Sequence, residues 1–134
     1  MLTIRKTQMQ VLSAFMKRAF EDRAFRHITY AFPQQTKILC GDSPDEEKLR
    51  SLIRQGIEQA ADYGLEDRLD VAAFLSLFIG VGPNFTQQER LLWVSKVLQS
   101  KTVPIRAKMR LIFHQLPKRN PELANLRFPK ENGW

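Results

Sequence analysis

Residues 63–85 read YGLEDRLDVAAFLSLFIGVGPNF, a helix stop, an apolar helix and a second stop in succession, and this stretch decides the fold. Gly64 follows a periodic apolar run, where a residue free to take positive φ ends a helix without steric cost. Glu66 or Asp67 can start the next helix. From there Val71, Ala72, Ala73, Phe74, Leu75, Leu77, Phe78 and Ile79 leave no face suited to water, so this helix belongs in the middle of a bundle. It is too short for a bilayer, which needs about 20 apolar residues, and Asp67, Arg68 and Asp70 stand at its start. Gly80, Gly82 and Pro83 then end it.

The flanking sequence supplies partners for such a centre. A first helix is expected from Thr3 or Thr7 to about Phe32, with an apolar stripe at Met9, Leu12, Met16, Phe20, Ala24, Ile28 and Phe32, and Pro33 marks its end. A second opens with the capping box Ser43-Pro44-Asp45-Glu46 and carries Leu49, Leu52, Ile53, Gly56, Ile57 and Ala60. Its small residues Gly56 and Ala60 would let a neighbouring helix approach closely. After the apolar helix, the box Thr86-Gln87-Gln88-Glu89 predicts a helix with Leu92, Trp93, Val97 and Leu98 facing inward. A last helix begins at Pro104 and buries Ile105, Met109, Ile112, Phe113 and Leu116. The expectation is all-α: a compact bundle of about five helices over residues 1–116, followed by an irregular, basic, proline-containing C-terminal arm over residues 117–134. Strand-like alternation, internal repeats and low-complexity tracts are absent from the sequence.

With 134 residues the chain is long enough for one domain that buries roughly two thirds of its unfolded surface. The single Cys40, read as a loop residue, cannot form an internal disulfide, and residues 1–6 do not resemble a signal peptide. A cytoplasmic protein with no membrane association is expected. The net charge of +7 is uneven: residues 1–30 carry six Lys/Arg and two Asp/Glu, residues 31–70 five and nine, and residues 71–134 ten and three. That distribution suits two electrostatically distinct surfaces better than a uniformly basic nucleic-acid binder.

Chemistry is harder to assemble. His27, His114 and Cys40 sit on three different predicted elements and have no ligand-like spacing, so no catalytic residue, no metal and no cofactor is expected. Glu21 and Asp22, like Asp62, Glu66, Asp67 and Asp70, read as helix caps or as ion-pair partners of Arg23 or Arg68. Arg106, Arg110 and His114 recur at steps of four, with Lys108, Lys118 and Arg119 nearby. Such a stripe can contact phosphates, yet no aromatic stacking platform interleaves it and nucleic acid is disfavoured. Arginines beside isolated aromatics commonly dominate protein interfaces, which marks Arg106, Arg110, Lys118, Arg119, Arg127, Phe128, Lys130 and Trp134 as candidate partner-binding residues. The alternative is a tail that folds back over its own bundle.

Six strings occur in one order over about residues 3–115: Phe20-Glu21-Asp22-Arg23, Phe32-Pro33, Leu52-Ile53-Arg54-Gln55-Gly56-Ile57-Glu58-Gln59-Ala60, Tyr63-Gly64-Leu65, Arg68-Leu69-Asp70-Val71 and Gly82-Pro83-Asn84-Phe85. Together they resemble small all-helical proteins encoded in bacterial type VI secretion gene clusters, near effectors, spike proteins and their chaperones. Asn84 stands where that group leads one to expect an acidic residue, and the basic tail is longer. The resemblance implies a non-enzymatic accessory that binds another protein: an effector, an effector chaperone, a spike component or a toxin. An adaptor or co-chaperone for effector loading is the leading expectation, an immunity protein neutralising a cognate toxin the alternative, and a small nucleic-acid-binding protein a further one.

Overall fold

The computed structural model describes residues 18–40 and 46–130, apart from the side chains of residues 36 and 38–40. Among these residues the chain forms six α-helices and no strand: α1 (residues 18–31), α2 (Pro33–Cys40), α3 (Glu46–Asp62), α4 (Arg68–Gly80), α5 (Leu92–Gln99) and α6 (Ile105–Arg119). Short 3₁₀ turns occupy Phe85–Gln87, Glu89–Leu91 and Pro121–Leu123. The proposed start of the first helix with Met9, Leu12 and Met16, the Ser43-Pro44-Asp45 portion of the second helix's cap, and Trp134 lie outside the described residues.

The apolar stretch does form the central helix. Asp67 caps α4, its carboxylate accepting from the Leu69 N–H at 2.9 Å, and every residue from 70 to 79 is buried. α4 packs on α3, α6 and α2. Ahead of it, Gly64 takes φ +83° and closes α3. The Gly64 N–H donates to the Ala61 carbonyl at 2.9 Å and the Leu65 N–H to the Ala60 carbonyl at 3.0 Å, which satisfies the last carbonyls of the helix while Leu65 turns into the core. α3 and α4 approach closely at Gly56: a Cβ there would stand 2.5 Å from Leu75 Cδ2 and 3.1 Å from Phe78 Cδ1. Phe74 gathers an aromatic cluster, with Phe85 edge-on at 5.2 Å and Tyr63 tilted at 5.9 Å between centroids.

Several expectations need correction. Pro33 ends one helix and also starts another, because its missing N–H and fixed φ suit a first helical position. Only Phe32, whose N–H still donates to Ile28 at 2.8 Å, separates α1 from α2, and Cys40 is the last residue of α2 rather than part of a loop. Thr86-Gln87-Gln88-Glu89 does not cap a helix: its residues fall in two 3₁₀ turns on either side of an extended Gln88. Burial of Phe85 and Leu91 draws the chain into these tight turns. α5 therefore buries Val94 and Leu98 in line with Leu91 of the preceding turn, with Trp93 and Val97 half-buried, while Leu92 is 47% exposed. On α6, Ile105 is 49% exposed and Lys108 is buried instead, its Nζ donating to the Leu98 carbonyl at 2.7 Å. That bond satisfies a carbonyl in the last turn of α5 with a cation, the sign that a helix C-terminus favours.

The core also continues past residue 116. α6 runs through Pro117 to Arg119, and the 3₁₀ turn at Pro121–Leu123 reverses the chain so that Leu123 and Leu126 are buried with the bundle. Phe128 meets Phe113 edge-on at 6.0 Å. These side chains cover apolar surface that α6 and α4 leave open, so Leu123, Leu126 and Phe128 join the bundle's core while the residues around them stay largely exposed. Among the described residues no helix is long and apolar enough to cross a membrane.

Candidate partner-binding surface

Two charged regions flank the core, and they differ in how their charges are satisfied. Along the α1–α3 seam, Arg50 Nη1 donates to Asp22 Oδ1 at 2.7 Å and reaches Glu21 Oε1 at 3.4 Å, while its Nε donates to Glu46 Oε1 at 3.2 Å. Arg54 Nε donates to Glu21 Oε2 at 3.1 Å, its Nη2 lies 3.1 Å from Glu21 Oε1 as an ion pair, and its Nη1 donates to Glu47 Oε1 at 2.9 Å. Arg50 also lies 4.6 Å above the Phe25 ring. The hydrogen bond from Arg50 holds the Asp22 carboxyl below its usual range, and the same network, led by Asp22 for Arg50 and by Glu21 for Arg54, raises both guanidinium groups. Glu21 and Asp22 thus pair with α3, about 30 residues away, where sequence proximity had suggested Arg23.

The C-terminal region is different. Arg106, Arg110, Lys118, Arg119, Arg127 and Lys130 are all exposed, and none makes an ion pair among the described residues. Two of them instead rest on rings, Arg110 at 4.7 Å over Phe128 and Arg119 at 5.1 Å over Trp93. Both rings are held from behind. Phe128 leans on Phe113, and the Trp93 Nε1 donates to Asn120 Oδ1 at 2.8 Å. Asn120, buried at the end of α6, also donates from Nδ2 to the Arg90 carbonyl at 3.2 Å and to Glu122 at 3.3 Å. Glu122 pairs with Arg90 at 3.2 Å, and its carboxyl is held below the usual range by its own backbone N–H and by Asn120. Asp70, at the start of α4, has a raised pKa: burial and the charge of Asp67 outweigh the fields of Arg110 and Arg106.

Between the α1–α2 elbow and the returning tail lies an open cleft of about 730 Å³. Gly80 forms part of its floor, and a Cβ there would stand 3.2 Å from Leu126 Cδ2 and 3.3 Å from Phe32 Cε1, so the glycine lets elbow and tail converge on the end of α4. His27, Gln34, Ser76 and Asn125 supply polar groups to its lining, and Arg127 and Lys130 its positive charge.

Of the residues singled out from sequence, Arg127, Phe128 and Lys130 come together at this cleft. Arg110 adjoins it through Phe128. Arg106, Lys118 and Arg119 lie on α6 outside its lining. Sequence reasoning missed Phe32, His27 and Asn125 as cleft residues and Trp93 and Asn120 as supports of the basic face. Asn120-Pro121, a turn signal followed by Leu123 and Leu126, was the cue that the tail reverses. Among the described residues no group of three His, Cys, Asp or Glu is placed to hold a metal ion. No protein-family model matches this chain, and no curated protein or solved structure matches it either.

Proposed function

We propose that this protein is a non-enzymatic, protein-binding accessory of a bacterial type VI secretion system, an adaptor or co-chaperone for effector loading, and that it docks its partner at the cleft bordered by the C-terminal segment. The secretion context comes from the sequence resemblance alone. Support for a binding role comes from the cleft: about 730 Å³, open to solvent, with apolar Phe32, Leu126 and Phe128 together with Arg127 and Lys130 in its lining. A concavity that mixes apolar area with a few placed polar groups is the usual form of a recognition site. Binding is favoured over catalysis because His27 and His114, the two residues best suited to proton transfer near neutral pH, lie on α1 and α6 with different surroundings.

The test is co-purification of the tagged full chain with the products of its neighbouring genes, one at a time, alongside Arg127→Glu/Lys130→Glu. Both side chains are exposed, so the variant should melt like the parent. The reading predicts capture of an effector, effector chaperone or spike component, and loss of that capture in the variant. Capture of a toxin together with rescue of cells expressing it would replace the adaptor role with immunity. Undiminished capture by the variant would move the docking site away from the cleft.

A further inference from the structure

We propose that the exposed face of α6, together with the two arginines resting on aromatic rings, is a receptor for an acidic protein segment that it binds through carboxylates. This rests on the protein-binding reading above and adds a second contact surface for the same partner, next to the cleft and joined to it where Arg110 rests on Phe128, together with the chemistry it recognises. The first argument is the contrast in pairing. Arg50 and Arg54 are neutralised by four carboxylates, whereas Arg106, Arg110, Lys118, Arg119, Arg127 and Lys130 make no ion pair among the described residues, and α6 contains no Asp or Glu. The second is that part of this arrangement works against the helix, although Lys118 and Arg119 in the last turn suit its dipole and Arg106 and Arg110 act on Asp70. Arg106 stands in the first turn of α6, where the helix dipole disfavours a cation, and Arg106 and Arg110 repel each other at i,i+4.

The third argument is preorganisation. A guanidinium held over a ring has already lost rotamer freedom, and its N–H groups that face away from the ring can meet a carboxylate. Arg110 over Phe128 and Arg119 over Trp93 are already held against rings before any partner arrives, which lowers the entropic cost of association. Arg110 and Arg119 flank the exposed face from opposite borders, and between them His114 and Lys118 continue from Arg110 at steps of four with the 36% exposed Leu111 beside Lys118, a basic row with one apolar contact point. A protein segment bearing carboxylates and an apolar residue complements that row. Nucleic acid fits it less well, because the Phe128 and Trp93 rings that could stack on bases already carry guanidinium groups.

Fluorescence anisotropy tests this with the full chain and three labelled probes at matched salt: a Glu/Leu amphipathic peptide, its Gln/Leu counterpart and a short DNA duplex. Arg110→Lys/Arg119→Lys keeps the charge but removes the planar forks, and Lys96→Gln/Lys101→Gln removes exposed charge elsewhere. The Glu/Leu peptide should bind, the Gln/Leu peptide should not, and the arginine variant should weaken binding at least about tenfold, as for interface anchors, while the lysine variant changes it less than about threefold. Equal peptide binding by R110K/R119K and the parent, or tighter binding of the duplex than of the Glu/Leu peptide, overturns the inference. Failure of every gene neighbour to co-purify while the arginine-dependent peptide binding persists refutes the secretion-accessory reading alone. Full capture of a neighbour's product by R110K/R119K refutes this inference alone.

Discussion

Replacing Gly56 with alanine tests the packing of α3 on α4 more sharply than any truncation. At an exposed interior helix position the change stabilises by about 1 kcal/mol through helix propensity. Here the new methyl would lie 2.5 Å from Leu75 Cδ2 and 3.1 Å from Phe78 Cδ1. Both side chains are fully buried and cannot swing into solvent, so the overlap must be relieved by off-rotamer side chains or by separating the helices. Overpacking of this kind costs about 1–3 kcal/mol, which leaves Gly56→Ala destabilising by about 1 kcal/mol after the propensity gain. Leu75→Val removes Cδ2 and with it the closest overlap. In that background only the milder Phe78 contact at 3.1 Å remains, so Gly56→Ala should be close to neutral and the double-mutant cycle should show a coupling of about 1 kcal/mol. Urea melts of the four proteins at unchanged m-value measure it. If Gly56→Ala stabilises by about 1 kcal/mol in both backgrounds, with changes adding to within about 0.5 kcal/mol, the close approach of α3 and α4 is wrong.

Other outcomes follow from single side chains. Phe78→Ala should cost about 3–5 kcal/mol, and a loss below about 1 kcal/mol in denaturant melts would remove it from the core. Lys108→Met leaves the Leu98 carbonyl without its donor and should cost about 1–3 kcal/mol, an effect read as a lower urea midpoint. Asn120→Ala breaks the links from α6 to Trp93 and the Arg90 carbonyl; a cost of about 1–3 kcal/mol and faster amide exchange over residues 121–128 are expected, and unchanged exchange would show that the tail does not depend on it. Asp22 and Asp70 should shift the pH dependence in opposite directions. The low carboxyl of Asp22 stabilises the fold above its ordinary value of 3.8 and loses that contribution as acid protonates it, so Asp22→Asn should lower Tm at pH 7 and converge with the parent in acid. Asp70 has a raised pKa, so its ionised form costs stability as pH rises above 3.8, and Asp70→Asn should raise Tm at pH 7; a lower Tm for that variant would contradict the role given to burial.

The sequence by itself determined the centre of the molecule. The apolar run Val71–Ile79, a helix start at Glu66 or Asp67, the stop at Gly64 and the small residue at position 56 all follow from composition and spacing within one or two helical turns, whereas burial of Asp70 does not. Such features are legible because each is a local matter of propensity, capping or steric allowance. What only the tertiary structure decided involves residues far apart in the chain. The carboxylates of Glu21 and Asp22 chose Arg50 and Arg54 over nearby Arg23, and Lys108 left the solvent for a carbonyl of α5. Thr86 matched a capping pattern, but burial of Phe85 and Leu91 imposed 3₁₀ turns in its place. The candidate site shows the same division: the basic and aromatic residues could be named from sequence, but their grouping could not. Arg127, Phe128 and Lys130 reach the cleft, and Arg110 reaches Phe128, because the chain turns back after Asn120 to bury Leu123 and Leu126. No local pattern encodes that reversal's destination, since it is set by the apolar surface that α4 and α6 leave uncovered once they are packed.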